Sequence, residues 1–259
     1  MNEKRIGRRT IALTHPPSVL TFSNIGGKFE KQGPLSTYFD ELNEDSFFGE
    51  KTWEKAESAM QKTVLQRALD QARLKPKDLD YIFAGDLLNQ CIGSSFGLRY
   101  FNIPFYGLYG ACSTMGESLS LAALIIDGGF ADTCAAMTSS HFCTAERQYR
   151  MPVPYGSQRP PNAQWTATAS GCTILSTDGP GPYITHVTCG KIVDKGIKDG
   201  NNMGAAMAPE DVKLTPCVTH IRYAALLSTH NFSAKRGHSG NKSLKFVSAI
   251  QTIELGWST

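Results

Sequence analysis

The chain has 259 residues, 41% hydrophobic and 19% charged, with a formal net charge of +3. That composition belongs to a globular fold of one large domain or two small ones, and it excludes a disordered or collagen-like chain. No apolar run is long enough to span a bilayer, and the basic segment Lys4-Arg5-Ile6-Gly7-Arg8-Arg9 is followed by His15-Pro16-Pro17 rather than by the apolar core of a secretory signal.

Residues 19–24 are short and β-prone, with Gly26-Gly27 after them, and predict a first strand. Residues 34–50 read as an irregular, partly helical connection. Residues 52–74 carry Trp53, Ala56, Met60, Val64, Ala68 and Ala72 at three- and four-residue spacing, widened by Leu65 and Leu69, which predicts an amphipathic helix capped by Thr52 and left before Pro76. A rhythm follows: strand 80–85, helix 89–100, strand 103–109, helix 113–127 closed by Gly128-Gly129, strand 133–137. Strands alternating with helices across short turns predict an α/β sheet with parallel neighbours. The helix over 113–127 is apolar nearly all round, as expected of a helix buried between two layers. Residues 141–163 are polar and proline-rich and read as a long loop. Residues 164–175 and 183–192 read as two strands joined by Asp178-Gly179-Pro180-Gly181, a hairpin at the sheet edge.

The seven cysteines stand at 91, 112, 134, 143, 172, 189 and 217, without a CxxC pair or a zinc-like His/Cys spacing. They read as reduced thiols, mostly small core residues, and neither metal nor cofactor is expected. Cys112 differs from the rest. It follows the apolar run 103–109 and precedes a helix, so unpaired backbone N–H groups and the positive helix end favour its thiolate or an anionic ligand. The ordinary alternative is a buried structural cysteine. Past Asp211 the chain has six Lys/Arg and one acid, Glu254, a balance of +5 against −2 for the body. Without aromatic interleaving this basic tail reads as a solvated or poorly folded end, and no nucleic-acid partner is expected.

Ala84-Gly85-Asp86-Leu87-Leu88-Asn89-Gln90, Tyr109-Gly110-Ala111-Cys112-Ser113-Thr114 and Asp127-Gly128-Gly129-Phe130-Ala131 together resemble the stage V sporulation protein AD family. So do Thr138-Ser139-Ser140-His141, Thr144-Ala145-Glu146-Arg147-Gln148-Tyr149-Arg150 and Asn202-Met203-Gly204-Ala205-Ala206-Met207-Ala208-Pro209. The resemblance runs from about residue 16 to 209. It implies the N-terminal half of a thiolase-like α/β fold, a mixed five-stranded sheet with flanking helices, over residues 1–209. It also implies a dipicolinic acid-binding component that works with SpoVA membrane proteins in uptake during sporulation and release at germination. The chain would reside in the cytoplasm of the developing spore, reaching the inner membrane through those partners.

The ligand positions so implied are Asp86, Asn89, Cys112, Ser113, Thr114, Ser139, Ser140 and His141, with Cys112 at a vestigial nucleophile position and Arg147 or Arg150 as carboxylate clamps. This chain departs from the family at Met115-Gly116, Phe142-Cys143 and Cys172. It departs wholly past residue 209, where 210–259 is an unmatched basic tail with short elements only at 223–227 and 246–250. A truncated or frameshifted chain lacking the second half is the expectation. Such a chain lacks the histidines that a condensing enzyme would bring from that half, and the exposed apolar helix predicts aggregation or a homodimer. A dipicolinate-binding protein ranks first, a non-functional remnant second, and an acyl-transfer enzyme using Cys112 last.

Overall fold

The computed structural model describes residues 4–149, 166–190, 196, 217–222 and 243–245. The elements in chain order are β1 (Arg5–Ile6), β2 (Thr10–Ala12), β3 (Ser18–Gly26), α1 (Lys28–Lys31), β4 (Glu41–Leu42), α2 (Trp53–Ala72), β5 (Tyr81–Gly85), α3 (Ile92–Leu98), β6 (Phe105–Leu108), α4 (Thr114–Asp127), β7 (Thr133–Ser140), α5 (Phe142–Tyr149), β8 (Ala169–Ser176), β9 (Tyr183–Cys189), β10 (Cys217–Arg222) and β11 (Ser243–Lys245). One mixed sheet runs in the order β1-β2-β9-β3-β8-β7-β5-β6, with β4 beside β3 and β10-β11 beside β9. Its centre is the five strands β3-β8-β7-β5-β6. β7, β5 and β6 are mutually parallel, and β8 runs antiparallel to both β7 and β3.

The two faces of this sheet are separated by the period-two alternation of its strands. Phe83, Cys134, Ala136 and Leu175 face one way and pack with Met115, Leu119, Ala122, Ala123 and Ile126 of α4. Ile82, Ala84, Ala135, Met137 and Ile174 face the other way and pack with Met60, Val64, Leu65, Ala68 and Leu69 of α2. The stripe expected on α2 is the stripe that is buried: Ala56, Met60, Val64, Leu65, Ala68 and Leu69 are each fully enclosed. Each large aliphatic among them contributes roughly 1.5–3 kcal/mol relative to exposure. Thr52 caps the helix by accepting the Lys55 N–H at 3.3 Å, and Arg73 ends it in the left-handed conformation.

Several elements differ from the sequence reading. The helix expected over 89–100 is a 3-10 turn, the short α3 and a second 3-10 turn, because Gln90 and Cys91 both have positive φ (59° and 55°). The strand expected from 103 begins at Phe105. Pro104 lacks an N–H, although its carbonyl still accepts from Ile82 at 2.8 Å. The expected loop 141–163 opens instead with α5, whose first turn closes with Ala145 N–H donating to His141 O at 2.9 Å; residues 150–163 lie outside the described residues.

The strands at 169–176 and 183–189 do not pair as a hairpin. β3 and β7 already occupy both edges of β8, so β9 lies beyond β3, between β2 and β10. Nor is α4 enclosed on all sides by the described residues. Leu121, Leu124 and Ile125 on its outer side are only half-buried. Within 210–259, β10 pairs antiparallel with β9 and β11 with β10; the elements expected at 223–227 and 246–250 lie outside the described residues.

Candidate functional site

β5, β6 and β7 are parallel and in register, with Gly85 opposite both Leu108 and Thr138. The residues that follow each strand therefore emerge along one edge of the sheet: the 86–91 turn, the 109–113 turn and the 139–141 segment. In open α/β sheets this carboxyl edge is where ligands settle.

The 109–113 turn is tight. Ala111 has φ +49°, a left-handed conformation that a residue with a Cβ adopts at a cost of about 1–2 kcal/mol. Ala111–Ser113 forms a 3-10 turn before α4 begins at Thr114. Ser113 Oγ donates to Gly110 O at 2.7 Å, and Thr114 Oγ1 donates to Ala111 O at 2.8 Å. A Cβ at Gly85 would stand 2.1 Å from Leu108 O and 2.7 Å from Thr114 Cγ2, so glycine there lets β6 and the start of α4 close down on β5. Cys112 and Ser113 are half-buried in this turn, Tyr109 is 51% exposed, and the Glu117 carboxylate lies against Gly110. Partial burial holds the Glu117 carboxyl above its usual range.

Around the 86–91 turn lies a buried polar network absent from the sequence reading. Gln61 Nε2 lies 2.8 Å from Ser94 Oγ and 2.7 Å from Ser139 Oγ, and donates to both. Ser94 Oγ in turn donates to Asp86 Oδ2 at 2.6 Å, and Ser139 Oγ donates to Glu57 Oε1 at 2.9 Å. Asp86 also accepts the N–H groups of Leu88 and Ser94, which holds the 86–91 turn. Thr144 Oγ1 stands 2.9 Å from both Glu57 Oε2 and His141 O. Its single proton serves one of them at a time, and His141 O also receives the Ala145 N–H at 2.9 Å, which leaves the hydroxyl for Glu57. Burial, reinforced by the nearby Asp86 charge, pushes Glu57 up to about 8. Burial raises Asp86 as well. Glu57 and Gln61 stand one helical turn apart, inside the apolar stripe of α2. Two polar residues on a buried face were the available signal.

The expected ligand positions divide into two sets. Cys112 and Ser113 stand half-buried in the turn. Asp86, Thr114, Ser139, Ser140 and His141 are buried and spend their polar atoms inside the fold. Ser140 Oγ donates to Ala167 O at 2.6 Å. His141 accepts the Cys143 N–H on Nδ1 at 3.2 Å, so its proton resides on Nε2, which meets Ser46 O at 2.7 Å. The ring stacks between Trp53 and Phe142, and burial lowers its pKa. Asn89 opens the 3-10 turn after β5, Arg147 lies on α5, and Arg150 lies outside the described residues. Among the described residues no cluster of three or more His, Cys, Asp or Glu could hold a metal ion, and no helix is long and apolar enough to cross a membrane.

A family model for stage V sporulation protein AD (SpoVAD) matches residues 7–223, reaching beyond the 16–209 span of the sequence motifs at both ends. The chain is 41% identical over 206 residues to stage V sporulation protein AD of Bacillus subtilis (strain 168), covering 80% of this chain and 61% of that protein. The chain thus spans about three fifths of the length of that curated relative. Among solved structures it is similar to 3-oxoacyl-[acyl-carrier-protein] synthase III from Aquifex aeolicus VF5, with 15% identity, 62% of this chain and 53% of that one covered, and a TM-score of 0.43. It is also similar to the priming β-ketosynthase of the R1128 polyketide biosynthetic pathway, with 14% identity, coverage of 74% and 57%, and a TM-score of 0.44.

Proposed function

The chain belongs to the stage V sporulation protein AD family, and on that premise we propose that it is a dipicolinate-binding component of a SpoVA-type system that moves dipicolinate into the developing spore and releases it at germination. In this reading it works beside SpoVA membrane proteins and meets the spore inner membrane through them. The observation that carries the reading is the Cys112 turn. Cys112 and Ser113 stay half-buried there, at the carboxyl edge of three parallel strands.

Dipicolinate is a flat pyridine with two carboxylates. Backbone N–H groups at the start of α4 suit one carboxylate, and the exposed ring of Tyr109 offers an apolar wall. Thr114, which donates to Ala111 O at 2.8 Å, serves this reading as part of the frame of the turn. Isothermal titration of the chain with dipicolinate tests it: saturable binding weakened by Ser113→Ala or Cys112→Ser supports the reading, and a folded chain that takes up no dipicolinate ends it.

A second reading, acyl transfer through Cys112, draws on the same strand–turn–helix position of the thiol. His141 does not supply its base, because both ring nitrogens are engaged within the fold. Incubation with acyl-CoA thioesters and mass analysis of Cys112 decides it: an acyl adduct supports transfer, and an unmodified thiol removes it.

A further inference from the structure

On the α2 side of the sheet, away from the face that carries α4, a groove of about 590 Å³ runs between α2 and the 92–101 segment. One wall is the α2 face Lys55, Ser58, Ala59 and Lys62, spaced three and four residues apart; the other carries Ile92, Phe96, Arg99 and Tyr100. The walls are fixed to each other. A Cβ at Gly97 would stand 2.6 Å from Ser58 O, and Ser58 Oγ donates to Gly93 O at 3.0 Å.

The groove leaves both rings and cations facing solvent. Phe96 is 53% exposed and Tyr100 67%. The Arg99 guanidinium lies 5.1 Å from the Phe96 ring centroid and 4.6 Å from that of Tyr100, and the Lys62 ammonium lies 5.6 Å from the Tyr100 centroid. Cation–π contact holds the charges over the rings but neutralises neither. Ion pairs among the described residues are Lys4–Asp127, Lys31–Glu44 and Arg67–Glu41, so neither Lys62 nor Arg99 has a carboxylate partner there. Glu50 and Glu54 lie in the lining beside the start of α2, which gives the groove an acidic end and a cationic end.

We infer that this groove is a binding site for a flat organic anion, its carboxylate or phosphate held between Lys62 and Arg99 and its ring laid against Phe96 and Tyr100. The chemistry selects both parts. A neutral ring leaves the two cations unpaired, and a bare inorganic anion leaves the exposed rings uncovered. The volume falls in the range of small-molecule sites. Aromatic dicarboxylates and ring-bearing phosphates share this chemistry. The inference stands on the groove and does not require the dipicolinate reading.

The test uses the whole chain and four probes: pyridine-2,6-dicarboxylate, phenyl phosphate, inorganic phosphate and the neutral pyridine-2,6-dimethanol. Calorimetry gives affinity, and circular dichroism confirms folding of each variant. At least one ring-bearing anion is expected to bind well above the neutral diol and inorganic phosphate. Lys62→Gln with Arg99→Gln should weaken it about tenfold or more, and Phe96→Ala several-fold, in keeping with charge-assisted and ring contacts. Ring-anion affinity unchanged in the Lys62/Arg99 variant overturns the groove. If Cys112→Ser or Ser113→Ala alone then abolishes dipicolinate binding, the dipicolinate reading stands without it. Phenyl phosphate that binds through Lys62 and Arg99 while dipicolinate does not bind supports the groove and ends that reading. No ring anion bound by the folded chain overturns both.

Discussion

Ser139 donates its hydroxyl proton to Glu57 across 2.9 Å, tying the end of β7 to the first turns of α2. The acceptor is a fully enclosed carboxyl. Among the described residues its hydrogen-bond partners are the Ser139 and Thr144 hydroxyls, and the Asp86 carboxyl lies nearby. Burial, reinforced by the Asp86 charge, pushes the Glu57 carboxyl up to about 8, so its protonated form is favoured at neutral pH.

Glu57→Gln should flatten the pH dependence of stability. Glu57 rises from an ordinary value of 4.5 to about 8 on folding. Between those values the folded chain keeps a proton that the unfolded chain has released, so stability falls as pH rises across the window. The full effect is on the order of several kcal/mol as an upper bound, at about 1.4 kcal/mol per pH unit. Urea unfolding from pH 5 to 8 should show the decline in the parent chain and a shallower one in the variant, the remainder belonging to Asp86, which burial also raises. Equal slopes would mean that Glu57 is ionised in the fold.

His141 acts on the opposite side of the pH scale. Burial lowers its pKa below the ordinary 6.5, so the unfolded chain protonates first and stability drops as pH falls below about 6.5. His141→Gln should remove that acid-side loss. His141→Ala should cost about 2–4 kcal/mol at pH 7, since it leaves Ser46 O without its partner and opens a cavity between Trp53 and Phe142. The reading fails if the acid limb of the stability curve is the same in parent and His141→Gln chains.

Gly85→Ala tests the close approach that shapes the turn. The new methyl meets a backbone oxygen, Leu108 O, at 2.1 Å, and backbone yields less readily than a side-chain tip. A loss of about 3 kcal/mol is expected, with faster amide exchange in the first turn of α4. A change below about 0.5 kcal/mol would show that β6 and β5 are not in this register.

Thiol labelling should separate the cysteines by environment. Burial pushes Cys134 up to about 12 and also raises Cys91 and Cys172, so these three should stay unlabelled in the native chain. Cys112 and Cys143 are half-buried and Cys189 is exposed, and these should label first. Peptide mass mapping after brief alkylation gives the order. Early labelling of Cys134 or Cys172 would contradict the packing of β7 and β8.

The local elements were legible because their signals are local. The stripe on α2, the Thr52 cap, the strand 81–85 and the apolar helix after Cys112 are each written in a few consecutive residues, and a period of 3.6 or 2 survives without knowledge of neighbours. Motifs at Cys112 and His141 likewise carried the family resemblance, and the family match bears it out. Strand partnership was different. Nothing in residues 164–192 says that β3, more than 140 residues earlier, takes the β8 edge that a hairpin would use. The positive φ of Gln90 and Cys91 belongs to a turn held by bonds from Asp86 to Leu88 and Ser94.

By itself the sequence determined the α/β class, the family and the position of the Cys112 turn between a strand and a helix. Tertiary structure alone decided what each polar residue does there. A hydroxyl or carboxyl reads the same in sequence whether it faces a ligand or a buried partner. Only when β5, β7, α2, α3 and α5 converge do Asp86, Ser139 and His141 become enclosed, and an enclosed polar group must spend its bonds on the fold before any remain for a ligand.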